Sequence, residues 1–145
     1  MNKKLLLLTV TLLVSFFARS AELSDVDSGI YEVLNPKNEA TGVLYKLSKT
    51  NTGWSAFGKL PNNNLWKDLS CDAGCAYRTS TDTDVNGFFP ADWLARFDIA
   101  CIQDIAQAFC RVSPKGDPSK NIHMIIALVT GKPIPLYLKR RIDLD

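Results

Sequence analysis

Oxygen-bearing side chains alternate in one short stretch, where Asp82, Asp84 and Asn86 are followed by Gly87. Calcium binds six to eight oxygen atoms at about 2.4 Å, and short side chains at alternate positions of a turning backbone can converge on one ion. The glycine suits the sharp turn of such a loop. The spacing therefore predicts a candidate calcium site at Asp82, Asp84 and Asn86, and it points to no other cofactor.

This stretch resembles the first half of an EF-hand loop, in which the carbonyl group of Phe88 would add a further ligand. The second half departs from that pattern, because Trp93 stands where the closing bidentate glutamate is required. Residues 78–81 also lack the character of an entering helix. These departures favour the alternative, a polar turn with Asn86-Gly87 at its centre between two extended segments.

Three aromatic residues, Phe88, Phe89 and Trp93, come directly after the acidic stretch. A loop that is first acidic and then aromatic can insert into a protein partner, and aromatic side chains dominate the energy of many interfaces. We therefore predict that Phe88, Phe89 and Trp93 bind a partner. The alternative is that these rings pack in the hydrophobic core.

The four cysteines, Cys71, Cys75, Cys101 and Cys110, predict two disulfide bonds if the protein is exported. On one continuous helix, Cys101 and Cys110 would lie about 13 Å apart along the axis and on opposite sides, too far apart to pair. We therefore expect two bonds that join the segment Cys71–Cys75 to that helix. The alternative pairs Cys71 with Cys75 and Cys101 with Cys110 across a distorted helix.

No catalytic residue is predicted. The single histidine, His123, lies in an apolar strand-like pattern, and the motifs of serine hydrolases, zinc proteases and phosphate-binding loops are missing from the sequence. A small hydrolase that uses two carboxylates stays open as an alternative, because only their spatial separation would reveal it.

Several segments have the alternation or the apolar character of β-strands, at residues 29–34, 43–47, 54–59, 122–129 and 134–138. Turn residues at 50–53 connect the second of these segments to the third. Pro133 and Pro135 cannot donate backbone hydrogen bonds, so the last strand is expected at a sheet edge.

The clearest helical pattern covers residues 98–111. At 100° per residue, the apolar side chains of this segment share one face, and Asp98 could cap its start; the apolar residues are Ile99, Ile102, Ile105, Ala106 and Phe109. The sequence therefore predicts an α+β fold, an antiparallel sheet of about five or six strands with one main helix packed on a face and braced by disulfides.

The first twenty residues have the features of a secretory signal peptide, with Lys3 and Lys4 before the apolar run 5–17 and a small-residue cleavage site ending at Ser20. The run is too short to cross a membrane, so we expect no transmembrane anchor. We predict a signal peptide at 1–20 and a single small exported domain at 21–145. Cleavage would leave 14 basic and 15 acidic residues, a balance that argues against nucleic-acid binding.

These features predict a periplasmic or secreted bacterial protein that binds another macromolecule of the cell envelope, such as an inhibitor or an immunity-type protein. The prediction depends on export, small size, disulfide bracing and the lack of a catalytic set. The alternatives are a structural component of an envelope or secretion assembly and a small carboxylate-dependent hydrolase.

Overall fold

The structure is a computed structural model, which describes residues 22–69 and 76–145. Its nine strands form one antiparallel sheet that curls into a half-barrel. The strands are β1 Gly29–Leu34, β2 Ala40–Thr50, β3 Gly53–Lys59, β4 Lys67–Asp68, β5 Arg78–Thr79, β6 Phe97–Gln103, β7 Gln107–Pro114, β8 Ile122–Ala127 and β9 Ile134–Arg140. Their order across the sheet is β4-β3-β2-β1-β9-β8-β7-β6-β5.

Two short helices, α1 Asp82–Phe88 and α2 Ala91–Arg96, lie between β5 and β6. A 3-10 helix precedes β1 at Asp25–Asp27, and another follows β7 at Pro118–Lys120. The predicted α+β fold of five or six strands with one main helix is therefore wrong.

The predicted helix at 98–111 is instead the β6–β7 hairpin. Asp104 makes the turn, because its Oδ1 accepts hydrogen bonds from the backbone N–H groups of Ala106 and Gln107 at 2.8 and 2.9 Å. Both faces of this hairpin are buried, so its apolar residues do not alternate with polar ones as they would in a half-exposed strand. The apolar stripe at helical spacing arises from this two-sided burial.

The strand predictions for 29–34, 43–47, 54–59 and 134–138 are confirmed as parts of β1, β2, β3 and β9, and the prediction for 122–129 is confirmed as β8 as far as Ala127. The expected edge position of the last strand is wrong, because β9 lies between β1 and β8. Pro135 is accommodated because β1 pairs with β9 only at residues 138–140, so the first half of β9 has a strand neighbour on one side alone. That half therefore behaves locally as an edge.

Alternation along the strands divides the core between the two faces of the sheet. The concave face carries Tyr31, Tyr45 and Phe109 in one buried cluster. The opposite, convex face carries a second cluster over β6–β9, which is covered by side chains of α1 and α2.

The strand directions give the half-barrel two different ends. One end, called here the open end, is formed by residues 35–39, 60–66, 104–106 and 128–133, which connect successive strands. The other end, called here the closed end, is formed by residues 22–28, 51–52, 115–121 and 141–145.

Candidate functional site

The concave face contains an apolar cavity of about 500 Å³ in the half nearer the open end. Small-molecule sites commonly have volumes of about 300–1,000 Å³ and mostly apolar walls. Seven strands contribute to the walls, β1 to β4 and β7 to β9, and the lining includes Val33, Val43, Gly58, Ile125, Ala127 and Leu136. The cavity is therefore large enough to be a binding site.

The cavity exists because side-chain size changes along the concave face. Near the middle and the closed end, Tyr31 and Tyr45 pack against Phe109 with ring centroids 5.4 and 6.0 Å apart. Toward the open end the same face carries glycine, alanine and aliphatic residues, which cannot fill the curl of the sheet. At Gly58 a Cβ atom would lie only 3.1 Å from Leu69, so glycine allows Leu69 to pack directly on β3.

The closed end is sealed by the segment before β1, which is held by the buried carboxylate of Asp27. Its Oδ2 accepts a hydrogen bond from Arg111 at 2.6 Å, and its Oδ1 lies 3.1 Å from Nε2 of His123. The backbone N–H of Ser24 donates to the same carboxylate at 2.8 Å. Burial acts to raise the pKa of Asp27, but these three partners outweigh it and hold the pKa below its usual range.

One polar cluster borders the apolar cavity. Gln107, which lines the cavity, donates its Nε2–H to the hydroxyl of Tyr77 at 2.7 Å. Burial raises the pKa of Tyr77 to about 12 and raises the pKa of Tyr45 well above its usual value, with each ring close to the other. Both hydroxyls therefore stay protonated at neutral pH, and the negative charge of the nearby Asp104 carboxylate also raises both pKa values.

Two lysines stand at the mouth of the cavity. Lys59 and Lys67 contribute to its lining, and Nζ of Lys59 lies 6.0 Å from the ring centroid of Trp66. Leu60 and Val129, which also line the cavity, are 61% and 73% exposed. The mouth is thus apolar with positive charge at its border.

The residues predicted to bind calcium lie on helix α1 rather than in a loop. Thr81 caps this helix by accepting the backbone N–H of Asp84, and the Asp84 carboxylate accepts two hydrogen bonds from Arg78, at 2.7 and 3.2 Å. On a helix, side chains two positions apart point about 200° away from each other. Asp82, Asp84 and Asn86 therefore do not converge on one point, and calcium binding stays a prediction that this backbone does not favour.

The residues predicted to bind a partner are packed on the convex face. Phe89 is buried and its ring stacks on Trp93 at 5.8 Å, while Phe88 and Trp93 are partly buried against the same cluster. The alternative given above, packing in the core, describes their position. Partner binding by Phe88, Phe89 and Trp93 stays a prediction.

Cys101 and Cys110 form a disulfide bond across the β6–β7 hairpin, where they face each other with Cα atoms 4.2 Å apart. The expectation that both cysteines bond to the segment at 71–75 is therefore wrong, because the chain between them is a hairpin and not a helix. Cys71 and Cys75 lie outside the described residues.

Sequence reasoning missed the cavity and the Asp27 cluster. Helix α1 had a detectable signal, the capping box formed by Thr81 and Asp84. The cavity had none, because it results from the curl of nine strands and from small residues that are far apart in sequence.

Within the described residues, no group of three or more histidine, cysteine, aspartate or glutamate side chains could hold a metal ion. In the same ranges, no helix is long and apolar enough to cross a membrane. The chain matches no protein-family model, no curated protein and no solved structure.

Proposed function

We propose that this protein binds an apolar, chain-like ligand in the cavity on the concave face of its half-barrel. The single observation that carries the proposal is the cavity itself, about 500 Å³ in volume and walled mainly by aliphatic side chains. Transferring apolar surface from water into such a site contributes roughly 25 cal/mol for each Å² that is buried.

The chemical class of the ligand follows from the two ends of the cavity. Its interior accepts hydrocarbon, and Lys59 and Lys67 at the mouth favour a negatively charged group. An amphiphile could place its acyl chain in the interior of the cavity and its anionic headgroup beside the two lysines. We therefore propose a long-chain carboxylate or phosphate as the ligand class.

The location that we propose is outside the cytoplasm. The Cys101–Cys110 disulfide supports an oxidising compartment, and the predicted leader at 1–20 supports export. Binding of a protein partner, as predicted from the sequence, is a different function from the one that this cavity supports.

The test is to displace a fluorescent fatty-acid probe from the purified protein and from two variants. Ala127 lines the cavity, so Ala127→Trp should fill it and reduce probe affinity at least about tenfold. Lys46 is exposed on the other face of β2, so Lys46→Trp adds the same bulk outside the cavity and should leave affinity unchanged. Equal affinity in both variants, or no probe binding by the unaltered protein, would refute the proposal.

A further inference from the structure

The open end of the half-barrel exposes large apolar side chains at the tips of separate loops. Of the ten large hydrophobic residues that are exposed in the described ranges, five lie at this end, and a sixth, Ile134, begins β9 directly after it; the five are Leu60, Leu65, Trp66, Ile105 and Val129. Leu65, Ile105 and Val129 are each more than 70% exposed, and they come from three different connections. A soluble surface scatters such residues singly, so their grouping around a cavity mouth marks an interaction surface.

Positive charge accompanies these apolar tips. Lys37, Lys59, Lys67 and Lys132 lie at the open end, and within the described residues none of them has a carboxylate in ion-pair distance. Among the described residues, three acidic side chains lie at or beside this end. Glu39 accepts a hydrogen bond from Asn35, Asp104 is buried in its turn, and Asp68 lies on β4.

We infer that the open end docks onto a lipid bilayer that contains anionic headgroups. Apolar loop tips enter the boundary between headgroups and acyl chains, where their burial stabilises binding. Lysines beside them stay at the level of the headgroups, and each contributes about 1 kcal/mol near an anionic surface.

Trp66 fits this position in particular. Its ring is 36% exposed and lies beside the ammonium group of Lys59, so the two side chains combine an apolar plane with a positive charge. Tryptophan with a polar neighbour is typical of the bilayer interface. Docking in this orientation would place the cavity mouth directly against the acyl chains of the bilayer.

The closed end offers a contrast within the same molecule. Val26 and Ile142 are 70% and 81% exposed there, comparable with the open-end tips. The charged groups beside them are ion-paired, since Asp25 lies 3.7 Å from Lys49 and Asp143 lies 2.7 Å from Arg141. Val26 and Ile142 therefore stand next to ion pairs rather than to unpaired lysines, so we expect only the open end to dock onto an anionic bilayer.

The experiment uses the protein as purified from its host. It measures co-sedimentation of this protein with vesicles of phosphatidylcholine alone or of phosphatidylcholine mixed with phosphatidylglycerol. Binding is expected only with the anionic mixture. The double variant Leu65→Ser/Val129→Ser should lower the partition coefficient at least about tenfold. The variant Lys67→Gln/Lys132→Gln should lower it about fivefold for each lysine at low salt.

The matched control is Val26→Ser/Ile142→Ser, which removes equally exposed apolar groups at the closed end and should leave the partition coefficient unchanged. Brominated lipid should quench the emission of Trp66, and the quenching should disappear in Trp66→Phe. Equal loss of binding in the control and in the open-end variant would overturn the inference, as would the lack of any binding to anionic vesicles. Capture of a protein partner through the same tips, without vesicle binding, would overturn it too.

Membrane docking and ligand binding in the cavity are tested by separate measurements. Ala127→Trp should lose the fatty-acid probe but keep vesicle binding, because Ala127 is not one of the exposed tips. Probe binding without vesicle binding would leave the ligand proposal intact and remove the docking. Vesicle binding without probe binding would support the docking and refute the ligand proposal.

Discussion

At the scale of single residues, Asp27 does most to close one end of the molecule. Its side chain is 1% exposed and contacts Arg111, which is 16% exposed, and His123, which is 12% exposed. Its backbone carbonyl also accepts the hydroxyl of Tyr31 at 2.6 Å. One residue therefore ties the segment before β1 to three strands of the concave face.

Removing this carboxylate should destabilise the fold. In Asp27→Ala the partly buried guanidinium of Arg111 loses its ion-pair partner but keeps its hydrogen bond to the Glu22 carbonyl, so we expect a loss of about 2 to 3 kcal/mol, toward the lower end for a buried ion pair. The control is Asp25→Ala on the same 3-10 helix, because Asp25 is 88% exposed and lies 3.7 Å from Lys49. Chemical denaturation should show a change within about 0.5 kcal/mol for the control. Equal losses in the two variants would contradict the role given to Asp27.

The same carboxylate predicts a dependence of stability on acid. Because the folded state lowers the pKa of Asp27, its contribution is fully present above the usual pKa of an aspartate, near 4. The contribution is lost as the pH falls through the lower pKa of the folded state. The melting temperature of the protein should therefore drop more steeply below about pH 4 than that of Asp27→Asn. Parallel pH profiles would show that Asp27 is not the group responsible.

The buried tyrosines predict a late titration in base. Burial raises the pKa of Tyr31 and of Tyr77 to about 12, so ionisation of either hydroxyl opposes folding. Their contribution to stability is present below pH 10 and is lost as the pH rises through the higher pKa of the folded state. Absorbance at the tyrosinate band should therefore rise for these residues only above pH 11, and the rise should accompany unfolding. Ionisation of all four tyrosines near pH 10 in a folded protein would contradict this.

At the scale of elements, the β6–β7 hairpin shows what could be predicted from sequence and what could not. Strands β1 and β3 are bounded by glycine and turn residues, so local sequence signals were sufficient to predict both strands. The hairpin lacks such alternation because side chains on both of its faces are buried. Its turn also depends on one side chain, Asp104, rather than on glycine or proline. The cavity could not be predicted from local sequence signals at all, because the curl of the sheet brings together residues that are far apart in the sequence.

The cross-strand disulfide should stabilise this hairpin without determining how its two strands pair. Closing a loop of about ten residues contributes roughly 2 to 3 kcal/mol in the chain-entropy model. The double variant Cys101→Ala/Cys110→Ala should lose about that free energy of unfolding and keep a far-ultraviolet spectrum typical of β-structure. The strand register should persist because six further residue pairs join β6 and β7. Loss of β-structure in the variant would show that the bond determines the pairing.

At the scale of the whole molecule, the half-barrel is asymmetric. The closed end is filled by aromatic rings and sealed by an ion-paired segment, whereas the open end leaves an apolar volume with exposed loop tips around it. A sheet curled in this way usually fills its interior with side chains when it serves packing alone. The unfilled half is therefore the feature that a function must explain.

A bound ligand should stabilise the whole fold by mass action. At a ligand concentration one hundred times the dissociation constant, the free energy of unfolding should rise by about 2.7 kcal/mol. For a protein of this size that corresponds to an increase of roughly 5 °C to 10 °C in melting temperature. Ala127→Trp should show no such increase with a long-chain fatty acid, while Lys46→Trp should show all of it. An equal shift in both variants would place the ligand outside the cavity.

The proposed function requires that hydrocarbon occupies the concave face near the open end, and nuclear magnetic resonance can locate it there. In a complex with a saturated long-chain fatty acid, nuclear Overhauser effects should connect the acyl chain to the methyl groups of Ile125, Ala127 and Leu136. Effects that connect the chain only to exposed residues, or to the convex-face residues Ile126 and Met124, would show that the ligand does not enter the cavity.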